Sequence, residues 1–277
     1  MDNFSPHRQT VDIAGSTLSV IDEGEGPAVL LGHGYLWDWR MWEYQIERLK
    51  DRYRLIVPEM WGHGQSGPLP EGTTSNADIA AQMLSLLDRL EIDRAIVAGS
   101  SMGGMWGAHL AALAPDRIVG LALMNSYLGD EPAHNRAAYY AMLDAVEHEG
   151  LVNDAILANI VPLFFASTGR NAPQALEARL RDQVASYDAD RLRRSIAPLG
   201  KVIFGREDAL GLLDKLKMPA LIVAGRDDRS RPAAESIIMA DRLGITAHIV
   251  DDCGHSATLE QPAIVTDLLA SFLARVR

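Results

Sequence analysis

Short apolar runs rich in β-branched residues alternate with amphipathic helical stretches along most of the chain, and this alternation constrains the fold more than any other feature. The runs "AVLLGHG" (28–34), "YRLIVPEM" (53–60), "RAIVAGS" (94–100), "IVGLALMN" (118–125), "ALIVAGR" (220–226) and "TAHIVDD" (246–252) read as buried strands. Between the second and third, "NADIAAQMLSLLDRLE" (76–91) brings Ile79, Met83, Leu86, Leu87 and Leu90 to one helical face. Strand and helix taken in turn imply an α/β fold with a mostly parallel sheet flanked by helices on both faces. The start of the chain differs. "TVDIAGSTLSVIDEGEG" reads as a hairpin turned at Ala14-Gly15, which makes eight strands in all and an antiparallel opening to the sheet.

The alternation breaks once, from Tyr127 to Asp214. There the pattern is helical, in "HNRAAYYAMLDAVEHEG", "NDAILANIVPLFF" and "APQALEARLRDQVASY", and the span of 88 residues is too long for a plain crossover. The expected organisation is therefore a core domain contributed by 1–126 and 215–277, with 127–214 inserted as a helical lid over the carboxyl ends of the strands.

Charge narrows the function classes. With 26 basic and 37 acidic residues the net charge is -11, which repels phosphate backbones and anionic lipid, so neither nucleic acid nor membrane is an expected partner. No stretch of about 20 apolar residues is present, and "MDNFSPHRQT" lacks the apolar segment of a signal peptide, which predicts a cytoplasmic protein. The single cysteine, Cys253, excludes an internal disulfide and a cysteine-rich metal site.

Within this frame "GSSMGG" (99–104) stands at the junction of the strand "RAIVAG" and the small-residue helix "MWGAHLAALAP". A nucleophilic serine needs its oxygen lifted clear of the sheet by a tight strand–turn–helix, with glycine two positions before and two after because the turn crowds its neighbours. Gly99-Ser100-Ser101-Met102-Gly103 meets that spacing when centred on Ser101; centring on Ser100 puts Ala98 and Met102 at the flanks. A hydroxyl alone is a weak nucleophile and requires a base and an orienting carboxylate. After "ALIVAGR" comes "DDRSRP", and after "TAHIVDD" comes "CGHSATLEQP", so Asp227 or Asp228 and His255 lie in loops at the same sheet edge as Ser101. An oxyanion would be met by the backbone N–H of Met102 at the helix start. A second donor is expected from the N–H of Tyr35, in the "GHGYLWDWRMWEYQ" loop that Gly32 and Gly34 allow to turn in close, with His33 pinning that loop.

The order Ser, Asp, His, together with "HG", "GxSxG" and a late "GH", resembles the α/β-hydrolase superfamily over essentially the whole chain. More narrowly, "GHGYLWDWRMWEYQIERL", "GHGQSG" and "SSMGG" resemble bacterial arylesterases, enol-lactonases and cofactor-free peroxidase-like serine hydrolases. The resemblance implies Ser101 as nucleophile, His255 as base, and Tyr35 and Met102 as oxyanion donors. It also selects Asp228 over Asp227, because such families place the acid four residues before a proline, here Pro232. The sequence departs from the pattern in "PEMWGHGQSG", where relatives commonly carry aspartate at the position of Glu59 and often lack the tryptophan at Trp61; that departure concerns a pocket wall.

Serine at position 101 sets aside the dehalogenases and epoxide hydrolases of this fold, which need a carboxylate nucleophile. Hydrolysis of a carboxylic ester or lactone of a small, mainly hydrophobic substrate is the leading expectation. Carbon–carbon hydrolysis of a diketone-like substrate and thioester hydrolysis use the same triad and stand as alternatives, with a non-catalytic hydrolase-fold binding protein behind them. No cofactor and no metal are expected, the partner is a small-molecule substrate, and the superfamily allows a homodimer. Trp61, Phe164 and Phe165 are expected to wall the substrate pocket, while Arg193 and Arg194 read as solvated lid residues with the option of anchoring one carboxylate.

Overall fold

A computed structural model describes residues 6–166 and 174–276, and the chain enters it through the expected hairpin. Strands β1 (Arg8–Ile13) and β2 (Ser16–Glu23) pair antiparallel across Ala14 and Gly15. Both turn residues have positive φ, which matches the right-handed twist of the strands they join. The sheet continues through β3 (Ala28–Gly32), β4 (Arg54–Pro58), β5 (Ala95–Ser100), β6 (Ile118–Met124), β7 (Ala220–Gly225) and β8 (His248–Val250). Spatial order is β1-β2-β4-β3-β5-β6-β7-β8, antiparallel as far as the β2–β4 pair and parallel beyond it. Every residue of β5 is buried, as expected for a central strand covered on both faces. The last strand is shorter than its apolar run suggested, because β8 is an edge that pairs only with Val223–Gly225 and Asp251 and Asp252 are exposed.

The core helices are α1 (Glu43–Leu49), α2 (Asn76–Arg89) and α3 (Met102–Leu113). Ser75 and Asp78 form a reciprocal capping box at the start of α2. Helix α3 is apolar nearly all round because it is packed between the sheet and α2. Between β6 and β7 come α4 (Ala133–Glu149), α5 (Asp154–Ile160), α6 (Gln174–Ala185), α7 (Ala189–Arg191) and α8 (Ala197–Phe204), with a π-helical turn, Leu192–Ile196, joining the last two. No strand occurs among the described residues of this insertion; Ala172 and Pro173, at the start of its third predicted helical stretch, lie outside them. Helices α9 (Ala233–Leu243), α10 (Ala257–Glu260) and α11 (Pro262–Leu273) complete the core. No described helix is long and apolar enough to cross a membrane.

Polar ties hold the insertion down on the loops that follow β3 and β4. Tyr35 Oη donates to the Ile196 carbonyl at 2.6 Å, Arg191 Nη1 to the Gly64 carbonyl at 2.9 Å, and the Leu69 N–H to Ser195 Oγ at 3.1 Å. Gln183 Nε2 donates to the Leu36 carbonyl at 2.8 Å. Each neutral bond contributes on the order of 1 kcal/mol, and together they fix the insertion over the carboxyl ends of the parallel strands. An apolar cavity lies between the two layers.

Candidate active site

Ser101 occupies the turn between β5 and α3 with φ 51° and ψ -116°, a conformation that side chains other than glycine seldom adopt. Its neighbours explain how the strain is sustained. A Cβ on Gly99 would overlap the Gly103 carbonyl, and a Cβ on Gly103 would overlap the carbonyl of Gly32, so β3, β5 and α3 approach one another backbone to backbone. The turn is tied further by the Ser101 N–H donating to the Met124 carbonyl at 2.9 Å and by Ser126 Oγ donating to the Ser101 carbonyl at 2.8 Å. The two adjacent serines separate cleanly. Ser100 Oγ is sealed in the core without a partner, whereas Ser101 lines the cavity.

His255, in the loop after β8, lines the same cavity, and its Nδ1 stands 2.8 Å from Asp228 Oδ2. Asp228, just beyond β7, is buried and fully engaged: Oδ1 accepts from the N–H groups of Ser230 (2.9 Å) and Arg231 (2.8 Å), and Oδ2 also accepts from Asn125 Nδ2 at 2.9 Å. With the carboxylate as acceptor, His255 Nδ1 carries the proton, which leaves Nε2 as the basic nitrogen. Asp227 is half-buried and contributes only its backbone N–H, to the Cys253 carbonyl at 2.9 Å.

Two supporting residues are not among those expected from the sequence. Asn125, at the end of β6 with φ 47°, gives its amide to both Asp228 and the Gly254 carbonyl (3.0 Å), so it clamps the acid loop to the histidine loop. Glu260 flanks His255 on both sides. Its carboxylate accepts from the N–H groups of Gly254 (3.0 Å) and Ser256 (3.1 Å), and from Ala166 of the insertion at 2.8 Å. Burial pushes the Glu260 carboxyl up while those three donors pull against the shift. A polar residue at a strand's carboxyl end and an acidic residue one turn after "GHS" were the available hints.

The loop carrying Tyr35 is braced by two buried histidines. His33 donates from Nδ1 to the Gly34 carbonyl (2.8 Å) and accepts the Met60 N–H at Nε2 (2.8 Å); His63 donates from Nδ1 to the Trp61 carbonyl (3.0 Å) and accepts the Leu36 N–H at Nε2 (3.0 Å). Each histidine thus serves the other's loop, and their rings stand 5.3 Å apart. Burial holds both below the usual imidazole range, His63 down to about 3. Among the described residues no acceptor is placed on the backbone N–H of Tyr35 or Met102.

Of the side chains expected at the pocket wall, Phe164 lines the cavity and meets the His255 ring edge-on at 5.7 Å. Trp61 and Phe165 do not line it. Trp61 is fully buried, and its Nε1 donates to Gln82 Oε1 of α2 at 2.8 Å. Phe165 packs edge-on against Trp37 at 6.3 Å, with its ring tilted against that of Phe164 at 6.5 Å. Arg193 and Arg194 are exposed, the first donating to the Glu147 and His148 carbonyls and the second pairing with Asp190. Glu59, the departure noted above, is buried and reaches Arg8 of β1, with Oε2 also accepting the Gln65 N–H at 2.9 Å. Among the described residues no group of three or more His, Cys, Asp or Glu side chains is arranged to hold a metal ion.

Residues 27–262 match the family model of the α/β-hydrolase fold. The chain is 30% identical over 270 residues to the dihydrolipoyllysine-residue acetyltransferase component of the acetoin cleaving system of Cupriavidus necator, covering 96% of this chain and 68% of that protein. It is 25% identical to 3-oxoadipate enol-lactonase 1 of Acinetobacter baylyi, with 95% of each chain covered. Among solved structures, a thermophilic esterase from Thermogutta terrifontis with malate bound superposes with a TM-score of 0.85 at 27% identity, over 97% of this chain and 98% of the esterase. With the sheet order, the strained serine turn and these similarities together, the chain belongs to the α/β-hydrolase family.

Proposed function

We propose that the protein is a serine hydrolase that cleaves a carboxylic ester or lactone of a small, mainly hydrophobic substrate through an acyl-enzyme on Ser101. The observation that carries this reading is the placement of the strained Ser101 in one cavity with His255, whose other nitrogen is fixed by the buried Asp228. Ser101 Oγ attacks the carbonyl carbon as His255 Nε2 takes its proton, and Asp228 stabilises the imidazolium that results. The carbonyl oxygen gains charge beside the unengaged N–H groups of Tyr35 and Met102, each such donor being worth about 3 kcal/mol or more in acyl transfer. His255 then returns the proton to the leaving alkoxide, and a water activated by the same imidazole releases the acid. In a lactone the leaving oxygen stays tethered to the acyl chain throughout, so the product is a single hydroxy acid.

Names of relatives support the chemistry: an enol-lactonase and an esterase share the fold over nearly the full chain. The apolar lining, with Phe164 against His255, supports a hydrophobic group next to the scissile bond. The test is a panel of aryl esters, lactones, thioesters and vinylogous diketones, run with wild type and Ser101→Ala side by side. Turnover of esters or lactones that disappears in Ser101→Ala is expected. Turnover confined to diketones would move the reaction to carbon–carbon hydrolysis, and equal rates in both proteins would overturn the role of Ser101.

A further inference from the structure

Besides Ser101 and His255, the mainly apolar cavity is lined by two arginines, Arg206 just beyond α8 and Arg231 just before α9. Both side chains are almost completely buried, at 4% and 6% exposure. Arg206 donates from Nε to the Gly129 carbonyl (2.8 Å) and from Nη1 to Glu131 Oε2 (3.1 Å) and the Ile203 carbonyl (3.0 Å). Arg231 donates from Nε to the Ser230 carbonyl (2.6 Å) and from Nη2 to both oxygens of Glu131 at 2.8 Å. One nitrogen of each guanidinium, Nη2 of Arg206 and Nη1 of Arg231, has no partner among the described residues.

The two guanidinium groups share one close carboxylate. Glu131 is fully buried and is the shared carboxylate of both arginines, so it neutralises one of them. Glu235 stands farther off, 3.6 Å from Arg231 Nε, and burial raises its carboxyl pKa while the two arginines pull against the shift. Two guanidinium nitrogens without a protein partner therefore belong to residues that line the cavity holding Ser101 and His255. A buried charged donor left unpaired costs about 1–3 kcal/mol or more, and such groups are normally satisfied by water, an ion or a ligand where the protein offers nothing.

On the basis of the hydrolase reading above, we propose that the substrate carries a carboxylate, which docks on Arg206 and Arg231 while its ester or lactone carbonyl lies at Ser101. The planar fork of a guanidinium matches a carboxylate, and the two arginines offer it one free nitrogen each. A phosphate dianion would bring a second negative charge close to Glu131, Glu235 and Asp228, which disfavours it. The substrate class is then a half-ester of a dicarboxylic acid, or a lactone with a carboxylate arm, whose apolar spacer lies along the apolar lining of the cavity. Arg193 and Arg194 are not the anchor, since they are exposed and occupied by the insertion itself.

The experiment uses monoaryl esters of linear dicarboxylic acids of increasing length, each matched with the same ester capped as its methyl ester, and reads aryl release. Wild type should prefer the free acid over its capped partner by roughly tenfold in kcat/KM at the best length, the value of one charge-assisted hydrogen bond. In Arg206→Gln that ratio should fall about tenfold, and Arg206→Lys, which keeps the charge, should lie between; a ratio within one protein is insensitive to the fraction folded. A wild-type ratio at or below one, with release still dependent on Ser101, overturns the carboxylate anchor and leaves the hydrolase reading standing. An unchanged ratio in Arg206→Gln also overturns it. Absence of Ser101-dependent release from every ester removes the hydrolase reading and this inference with it.

Discussion

The reciprocal histidine brace makes stability depend on pH in a way that can be worked out. His63 is neutral in the fold because it is buried and must accept the Leu36 N–H at Nε2; burial, with His33 as a second cause, takes its pKa from 6.5 to about 3. In the unfolded chain it takes up a proton below 6.5, so over the interval between 6.5 and about 3 the unfolded state binds the extra proton. Stability from this group is therefore present above the unfolded value and is lost progressively as pH falls toward the folded one. Moving to about pH 5, roughly 1.5 units below the unfolded value, costs about 2 kcal/mol at about 1.36 kcal/mol per unit. Replacing His63 by Gln keeps an acceptor for Leu36 and removes the titration. Urea unfolding of both proteins at about pH 7 and about pH 5 measures the difference, and the wild type should lose about 2 kcal/mol more than His63→Gln between the two. Equal losses would show that His63 is not held neutral by its buried contacts, and the bracing of the Tyr35 loop would have to be redrawn.

Three further outcomes are expected. Asp228→Asn should lower kcat about 10³- to 10⁴-fold with the fold retained, whereas the half-buried Asp227→Asn should stay within about tenfold; comparable losses would reassign the acid. Phe164→Ala should shift acyl or aryl preference across an ester panel, while Phe165→Ala, which empties a site packed against Trp37, should instead cost about 3–5 kcal/mol of stability in denaturant unfolding. Gly103→Ala forces a Cβ onto the Gly32 carbonyl, where only backbone movement can make room, so it should lower the melting temperature by more than the same exchange at Gly211, whose Cβ would meet nothing.

Local periodicity carried the fold. Alternating apolar runs and amphipathic stretches located all eight strands because central parallel strands must be apolar throughout, as β5 is, and the positive-φ pair at Ala14-Gly15 wrote its own turn. The strained serine turn was legible for a similar reason, since the overlap of Gly99, Gly103 and Gly32 leaves no freedom in residue type. What the sequence concealed were pairings between distant polar residues that look ordinary one at a time. Asn125 and Asp228 are 103 positions apart, and Glu131 and Arg231 are 100 apart. Trp61 and Phe165 show the converse limit. An aromatic residue beside a cavity and one in the core are alike in sequence, and the Gln82 amide and the Trp37 ring decided which way these two face.

The central claim, that Ser101 is the nucleophile, is tested most directly by treating the protein with a chromogenic dialkyl aryl phosphate and locating the adduct by peptide mass mapping. One dialkylphosphoryl group on Ser101, released aryl alcohol in equal amount, and no labelling of Ser101→Ala are predicted. Labelling of Ser100, or a labelled and active Ser101→Ala, would contradict the account.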